Sequence, residues 1–188
     1  HYGYSKDETF KRGMLVSFND ENNYLHGGLD GEILYGISYT SKPNDSKVAG
    51  SFLTISQSND TISLDNPYQF MAVGNGDVWV TDEGGDITTG DYLISSSVAG
   101  HAMKDNGDYE VSHIFSKATE SVNWSTVQPD SNGVKRKKII VYFESFDKPN
   151  YEKKFREQQA IIESLKTENE TIKAEASSSS VETNQKLK

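Results

Sequence analysis

The chain has 188 residues, 34% of them hydrophobic, which is enough for one domain of ordinary size plus an appendage. The absence of cysteine excludes disulfide bonds, thiol catalysis and cysteine-ligated zinc. The net charge of −9 falls entirely on residues 1–150, because residues 151–188 carry seven basic and seven acidic side chains. Such an acidic domain repels nucleic acid, and no apolar run is long enough to insert into a membrane.

Residues 1–149 are expected to form a compact, mainly β, multi-stranded antiparallel domain. Ten Tyr, eight Phe and two Trp, with fifteen Gly and only four Pro in the whole chain, favour strands over helices here. We expect residues 1–12, which are polar, to lie along a neighbour and residues 19–31 to form a loop. Alternating patterns predict about eight to ten strands, including segments at 13–18, 33–40, 48–56, 62–64, 67–73, 76–81, 92–97, 101–104, 110–119 and 137–145.

The most informative segment is 74–104, which alternates strand patterns with turn residues. Val78 and Val80 are predicted to face one side of a strand, with Trp79 on the other. A Gly-Asp-apolar triplet recurs where a strand is expected to start, and the turn residues of this region are Gly76, Asp77, Gly90, Asp91 and Gly100. The acidic loop 82–86 is predicted to be a turn, and the alternative is a calcium site, because hard cations prefer oxygen ligands.

A basic cluster, Lys135 to Lys138, immediately precedes the apolar strand predicted at 139–143. Lysines commonly protect an exposed strand end from pairing with another chain, and this is the role we expect here. Binding of a phosphate or another polyanion is the alternative.

After Pro149 the pattern changes from strand to helix. Proline interrupts a strand ladder, and Asn150 is a competent helix N-cap. Heptads then predict a coiled-coil helix over 150–176, followed by a Ser-rich polar tail at 177–188. A narrow apolar stripe favours self-association over docking on the chain's own domain. The predicted seam consists of Tyr151, Phe155, Gln158, Ile162, Leu165, Asn169 and Ile172.

Motifs for catalysis are absent from the sequence. Four histidines, at positions 1, 26, 101 and 113, have no metal-hydrolase spacing, and His113 is expected to be structural. There is no nucleophile elbow, phosphate-binding glycine loop or dinucleotide fingerprint. We therefore predict no catalytic residue, no metal and no cofactor.

Several blocks together resemble a known family. These are 13–16, 33–38, 71–80, 90–104, 116–120 and 139–142, of which 90–104 is the most specific. The sequence is similar, over roughly residues 2–145, to the β-rich C-terminal domains of phage tail fibres, tailspikes and neck appendages, and of related surface proteins of large DNA viruses. That family includes intramolecular-chaperone auto-processing domains.

The resemblance implies a homotrimer that folds and aligns the upstream fibre segment of the same chain, located on the virion. Some members cut themselves at an acidic motif near their start. The corresponding residues 1–8, which include Asp7 and Glu8, do not match that motif, so no catalytic residue is carried over. The leading prediction is thus a trimeric structural and chaperone domain. The alternatives are a head that binds a host receptor or glycan, and a self-cleaving peptidase.

Overall fold

The computed structural model describes residues 1–6, 9–24, 33–55 and 67–185, with side chains described as far as residue 177. These residues form eleven β-strands and a C-terminal α-helix, which confirms a mainly β fold. The helix, α1, spans Tyr151–Gln185. Two compact units result, His1–Pro149 and Asn150–Lys188. The strands are β1 (Tyr2–Tyr4), β2 (Leu15–Phe18), β3 (Asn23–Tyr24), β4 (Ile33–Tyr39), β5 (Val48–Ile55), β6 (Tyr68–Met71), β7 (Gly74–Thr81), β8 (Tyr92–Ser95), β9 (Ala102–Lys104), β10 (Val111–Ala118) and β11 (Arg136–Pro149).

The first sheet has the strand order β1-β6-β5-β2-β4-β3. Strand β1 also pairs in parallel with β4, so that five of these strands form a closed ring of pairings. The start of the chain is therefore part of a sheet, and the expectation that residues 1–12 lie along a neighbour is wrong for Tyr2–Tyr4. Gly3 allows this close approach, because a Cβ atom there would lie 2.7 Å from Cδ1 of Ile37.

The second sheet is a closed five-stranded barrel with the order β10-β11-β7-β9-β8. Strands β7 and β11 pair antiparallel over eight positions, from Thr81 opposite Arg136 to Gly74 opposite Phe143. Most pairings are antiparallel as predicted, but β7 pairs with β9 in parallel, as β1 does with β4. Sequence alternation alone does not distinguish these directions.

The barrel encloses the largest group of buried apolar side chains. Val78 and Val80 are completely buried there, which confirms the predicted alternation along β7. Leu15, on a strand of the first sheet, belongs to the same group, so that the core is continuous between the two sheets. A second group fills the ring of the first sheet, and its buried members are Phe10, Val16, Ile37, Ala49, Phe52, Tyr68 and Phe70.

Strand β11 is longer than predicted, because it continues past residue 145 and ends at Pro149, opposite Val111. Proline is tolerated at this last position, since no further ladder bond depends on its missing N–H. The predicted N-cap is confirmed: the Lys153 amide donates to Oδ1 of Asn150 at 2.9 Å.

Helix α1 extends beyond the predicted end at Ala176 and reaches Gln185. The helix therefore continues through most of the predicted Ser-rich polar tail, as far as Gln185. Serine has a lower helix propensity than alanine but does not break a helix. The Ser177 hydroxyl donates to the Lys173 carbonyl at 2.7 Å, which places it within the helical pattern. The predicted hairpin strand at 62–64, most of the loop at 19–31, and Asp7 and Glu8 lie outside the described residues.

Candidate functional site

The segment 90–104 forms a hairpin of β8 and β9, in which Ile94 lies opposite Met103. Gly100, in the turn, has φ +70°, and a Cβ atom there would lie 2.8 Å from the Tyr39 ring. The Gly100 amide donates to the Thr40 carbonyl at 2.9 Å, which ties the hairpin to the first sheet. The most specific block of the family resemblance is thus a structural joint between the two sheets.

The other predicted turn residues have two different roles. Gly90 has φ +96°, and Asp91 accepts a hydrogen bond from the Thr88 amide at 2.8 Å, so this pair forms a turn before β8 as predicted. Gly76 and Asp77, in contrast, lie inside β7, and the prediction that they start a strand is wrong. Gly76 is needed there for packing, because a Cβ atom would lie 2.8 Å from the Phe143 ring.

The Asp77 carboxylate is held between two cations on the outer face of the barrel. Oδ2 of Asp77 accepts from Nε of Arg12 at 2.9 Å and lies 3.5 Å from Nζ of Lys138. The hydrogen bond from Arg12 is the main reason why the pKa of Asp77 is lowered below its usual value of 3.8. Asp77 therefore remains ionised and fastens the segment around Arg12 to the barrel.

A surface groove lies beside this ion pair, and we call it the Trp79 groove. It has a volume of about 410 Å³ and is lined by Lys11, Met14, Trp79, Val98, Ala99, His101 and Arg136. The lining combines an aromatic ring, aliphatic side chains, an imidazole and two cations, with no carboxylate. Small-molecule sites typically have this size and composition, mostly apolar with a few polar groups.

Two aromatic rings of the groove are held in fixed orientations. The Trp79 indole N–H donates to the Arg12 carbonyl at 3.1 Å, and its ring lies 6.3 Å from the His101 ring, centre to centre. Nδ1 of His101 lies 2.7 Å from the Ala99 carbonyl, so Nδ1 carries the proton in this contact. Burial lowers the pKa of His101 below its usual value of 6.5, and the neutral ring keeps Nε2 as an acceptor.

Arg136 supplies the groove with donors that the protein uses only in part. Its Nη1 forms an ion pair with Asp130, and its Nε is buried with no hydrogen-bond partner among the described residues. A guanidinium has five N–H donors, so most of them remain available. Lys11, also in the lining, is exposed and forms no ion pair in the described part of the chain.

The basic cluster 135–138 is mostly engaged within the protein. Nζ of Lys135 donates to the Trp124 carbonyl at 2.5 Å, Arg136 pairs with Asp130, and Lys138 lies near Asp77. The backbones of Arg136, Lys137 and Lys138 also pair with β7. Lys137 is exposed and forms no ion pair in the described part of the chain, and the engagement of the other three residues weakens the interpretation of the cluster as a polyanion site.

A second cavity, of about 240 Å³, contains an oriented histidine. Nδ1 of His113 lies 2.7 Å from Oδ1 of Asp147, and the backbone amide of His113 donates to Oδ1 of Asn44 at 2.7 Å. Ser46 and Ser145 line the same cavity, but within the described ranges no hydrogen bond joins either hydroxyl to His113. A serine nucleophile requires that contact, so this arrangement shows a positioned imidazole and no activated nucleophile.

The acidic loop 82–86 forms a turn, as predicted, with a short 3₁₀ segment at Asp82–Gly84. Glu83 accepts from the Ser97 amide at 2.8 Å, and Asp86 accepts from the Trp124 amide at 2.9 Å. In the described part of the chain, no group of three or more His, Asp or Glu side chains is close enough to hold a metal ion. The carboxylates of this loop therefore act as hydrogen-bond acceptors that fix neighbouring segments.

The predicted seam lies along α1 and is exposed throughout. Its apolar members Phe155, Ile162, Leu165 and Ile172 are 60%, 50%, 51% and 54% exposed, respectively. Their spacings of seven, three and seven residues place them on one side of the helix. Tyr151, Gln158 and Asn169 continue the same stripe and are also exposed. Within its own unit, α1 thus carries a mainly apolar stripe along one side of a long helix.

The Trp79 groove is the feature that sequence reasoning missed. Its charged and aromatic members come from positions 11, 79, 101 and 136, which only the folded barrel brings together. The one signal of the groove in the sequence was Trp79, an aromatic residue at a strand position predicted to face away from the core.

Comparison with known proteins identifies no relative. No protein-family model matches the chain, and neither a curated protein nor a solved structure is significantly similar to it. Within the described residues, no helix is long and apolar enough to cross a membrane.

Proposed function

We propose that the chain is a structural C-terminal domain of a viral fibre or spike, which trimerises and acts as an intramolecular chaperone or cap for the fibre. The exposed seam of α1 is the observation that carries this proposal. An isolated helix in water has little stability of its own, and a helix in a protein is normally stabilised by packing its apolar face. Association of identical helices supplies that packing.

The seam residues are divided between two and three copies, because Ile162 at a with Leu165 at d is typical of a parallel dimer. Ile172 occupies a d position, and isoleucine at d disfavours the parallel dimer. Asn169 occupies an a position, where a polar side chain specifies register at some cost in stability. The family resemblance over residues 2–145 is what favours a trimer. Residues 1–149 then form the β-rich fibre domain, and α1 joins the copies.

The oligomeric state tests this proposal directly. We expect light scattering to give residues 1–188 a mass of three chains. A chain that ends at Asn150 is expected to contain fewer than three copies. A well-folded single chain at micromolar concentration, with α1 intact, would contradict the trimer. For the chaperone role, the same truncation is made in a longer chain that includes the upstream fibre. We expect that fibre to misfold or aggregate without α1.

Binding of a host glycan is the second candidate function, and the Trp79 groove is the observation that favours it. An aromatic ring beside polar groups in a concave site of this size is suited to a small polar ligand. Binding and assembly are compatible, since they use different residues.

A further inference from the structure

We propose that the Trp79 groove binds an acidic sugar, a pyranose that carries a carboxylate or sulfate group. Such binding uses a single surface site and does not depend on trimer formation. The ligand is thereby narrowed from any host glycan to one chemical class, and its contacts to the residues that line the groove.

The charge of the groove differs from that of the surrounding domain. Residues 1–150 carry the whole net charge of −9, yet the lining contains Lys11 and Arg136 and no carboxylate. The nearby Asp77 is already paired with two cations. Arg136 uses Nη1 for Asp130 and retains further N–H donors, and planar guanidinium groups bind carboxylates and sulfates well. Lys11, whose charge is not paired among the described residues, and the free N–H donors of Arg136 therefore favour an anionic group at this point of an otherwise anion-repelling surface.

The remaining lining suits the ring and hydroxyl groups of a sugar. Trp79 is half-buried and is flanked by Met14, Val98 and Ala99, which offers an apolar surface to the C–H groups of a pyranose. Nδ1 of His101 is committed to the Ala99 carbonyl, so Nε2 accepts a hydrogen bond from a sugar hydroxyl. One site thus provides an apolar platform, a hydroxyl acceptor and two cations.

An acidic peptide has the same charge, but the backbone around the groove is less suited to it. Peptides commonly add a strand to a free sheet edge. Here β7 pairs with β11 and with β9, and the Trp79 amide donates to the Gly13 carbonyl at 2.9 Å. Because the backbone of β7 is already bonded at this point, recognition must come from side chains, as it does for a sugar.

Matched sugars test the proposal on the full 188-residue chain. Methyl glucuronide and methyl glucoside differ only in the carboxylate, and glucose 6-sulfate tests the second anion. Saturation-transfer NMR gives their affinities, and quenching of Trp79 fluorescence locates the site, because Trp124 is only 5% exposed. We expect at least one acidic sugar to bind about tenfold more tightly than the glucoside.

Two lysine variants locate the contact and control for net charge. Lys11→Gln removes a cation from the groove, and Lys137→Gln removes an exposed cation outside its lining. We expect Lys11→Gln to weaken the acidic sugar about threefold and Lys137→Gln to leave its affinity unchanged. Equal binding of charged and neutral sugars, or equal effects of both variants, would overturn the proposal. So would an absence of binding, or tighter binding of an acetylated glutamate peptide than of either acidic sugar.

Discussion

Replacing Ile162 with serine is expected to dissociate the proposed trimer at concentrations where the unmodified chain stays assembled. Ile162 is 50% exposed in the single chain, so roughly half of its burial free energy, about 1 kcal/mol, remains to be gained on association. Three copies lose about 3 kcal/mol together, which corresponds to an association constant roughly 150-fold lower. Isoleucine and serine have similar helix propensities, so the helix itself changes little.

The neighbouring Ile161 provides a matched control. It is 59% exposed on the same helix but lies beside the seam, so Ile161→Ser is expected to weaken association much less. Sedimentation equilibrium over a concentration series measures both constants. If the two variants dissociate equally, the seam assignment is wrong. If the parent chain is itself monomeric and both variants behave as it does, the association itself is refuted.

Three further predictions concern the β-rich unit. Gly100→Ala is expected to destabilise it by about 3 kcal/mol, from positive φ and the contact with Tyr39, whereas Gly90→Ala, with open space around it, costs about 1 kcal/mol. Asp77→Asn is expected to lower the free energy of unfolding by about 0.5 kcal/mol at pH 7. This difference disappears as the pH falls through the lowered pKa of Asp77, because protonation then removes the ion pair from the parent chain as well. The pKa of His101 is lowered by burial, so the unfolded chain binds protons more readily below pH 6.5. The parent chain therefore loses stability as the pH falls below about 6.5, and His101→Gln is expected to lose less.

Urea unfolding at several pH values checks all three. Equal losses for the two glycine variants would show that the turn at Gly100 relaxes away from Tyr39. A cost for Asp77→Asn that is independent of pH would show that its ion pairs contribute nothing. Parallel pH profiles for His101→Gln and its parent would mean that the buried imidazole titrates normally.

Local features were predictable from sequence because local physics determines them. The alternation of Val78 and Val80, the turn at Gly90 and the cap at Asn150 each depend on residues within a few positions. The apolar stripe of α1 is likewise a pattern of period close to the helical repeat.

Features that depend on distant residues were not predictable. Tyr2–Tyr4 has no strong strand pattern, and its place in the first sheet depends on β4 and β6. Gly76 reads as a turn residue in sequence, but its role is to leave room for Phe143, which lies far along the chain. The Trp79 groove is the same kind of feature, since no local pattern links Lys11 with Arg136.

The pairing of β7 with β11 has a consequence for folding kinetics. Residue 81 must find residue 136, and residue 74 must find residue 143, before the barrel closes. Closing so long a chain segment costs conformational entropy before any pairing compensates for it. Topologies of this kind fold on a scale of milliseconds to seconds, whereas a helix forms within about a microsecond. We therefore expect the barrel strands to stay transiently available to mispair for far longer than a helix such as α1 takes to form.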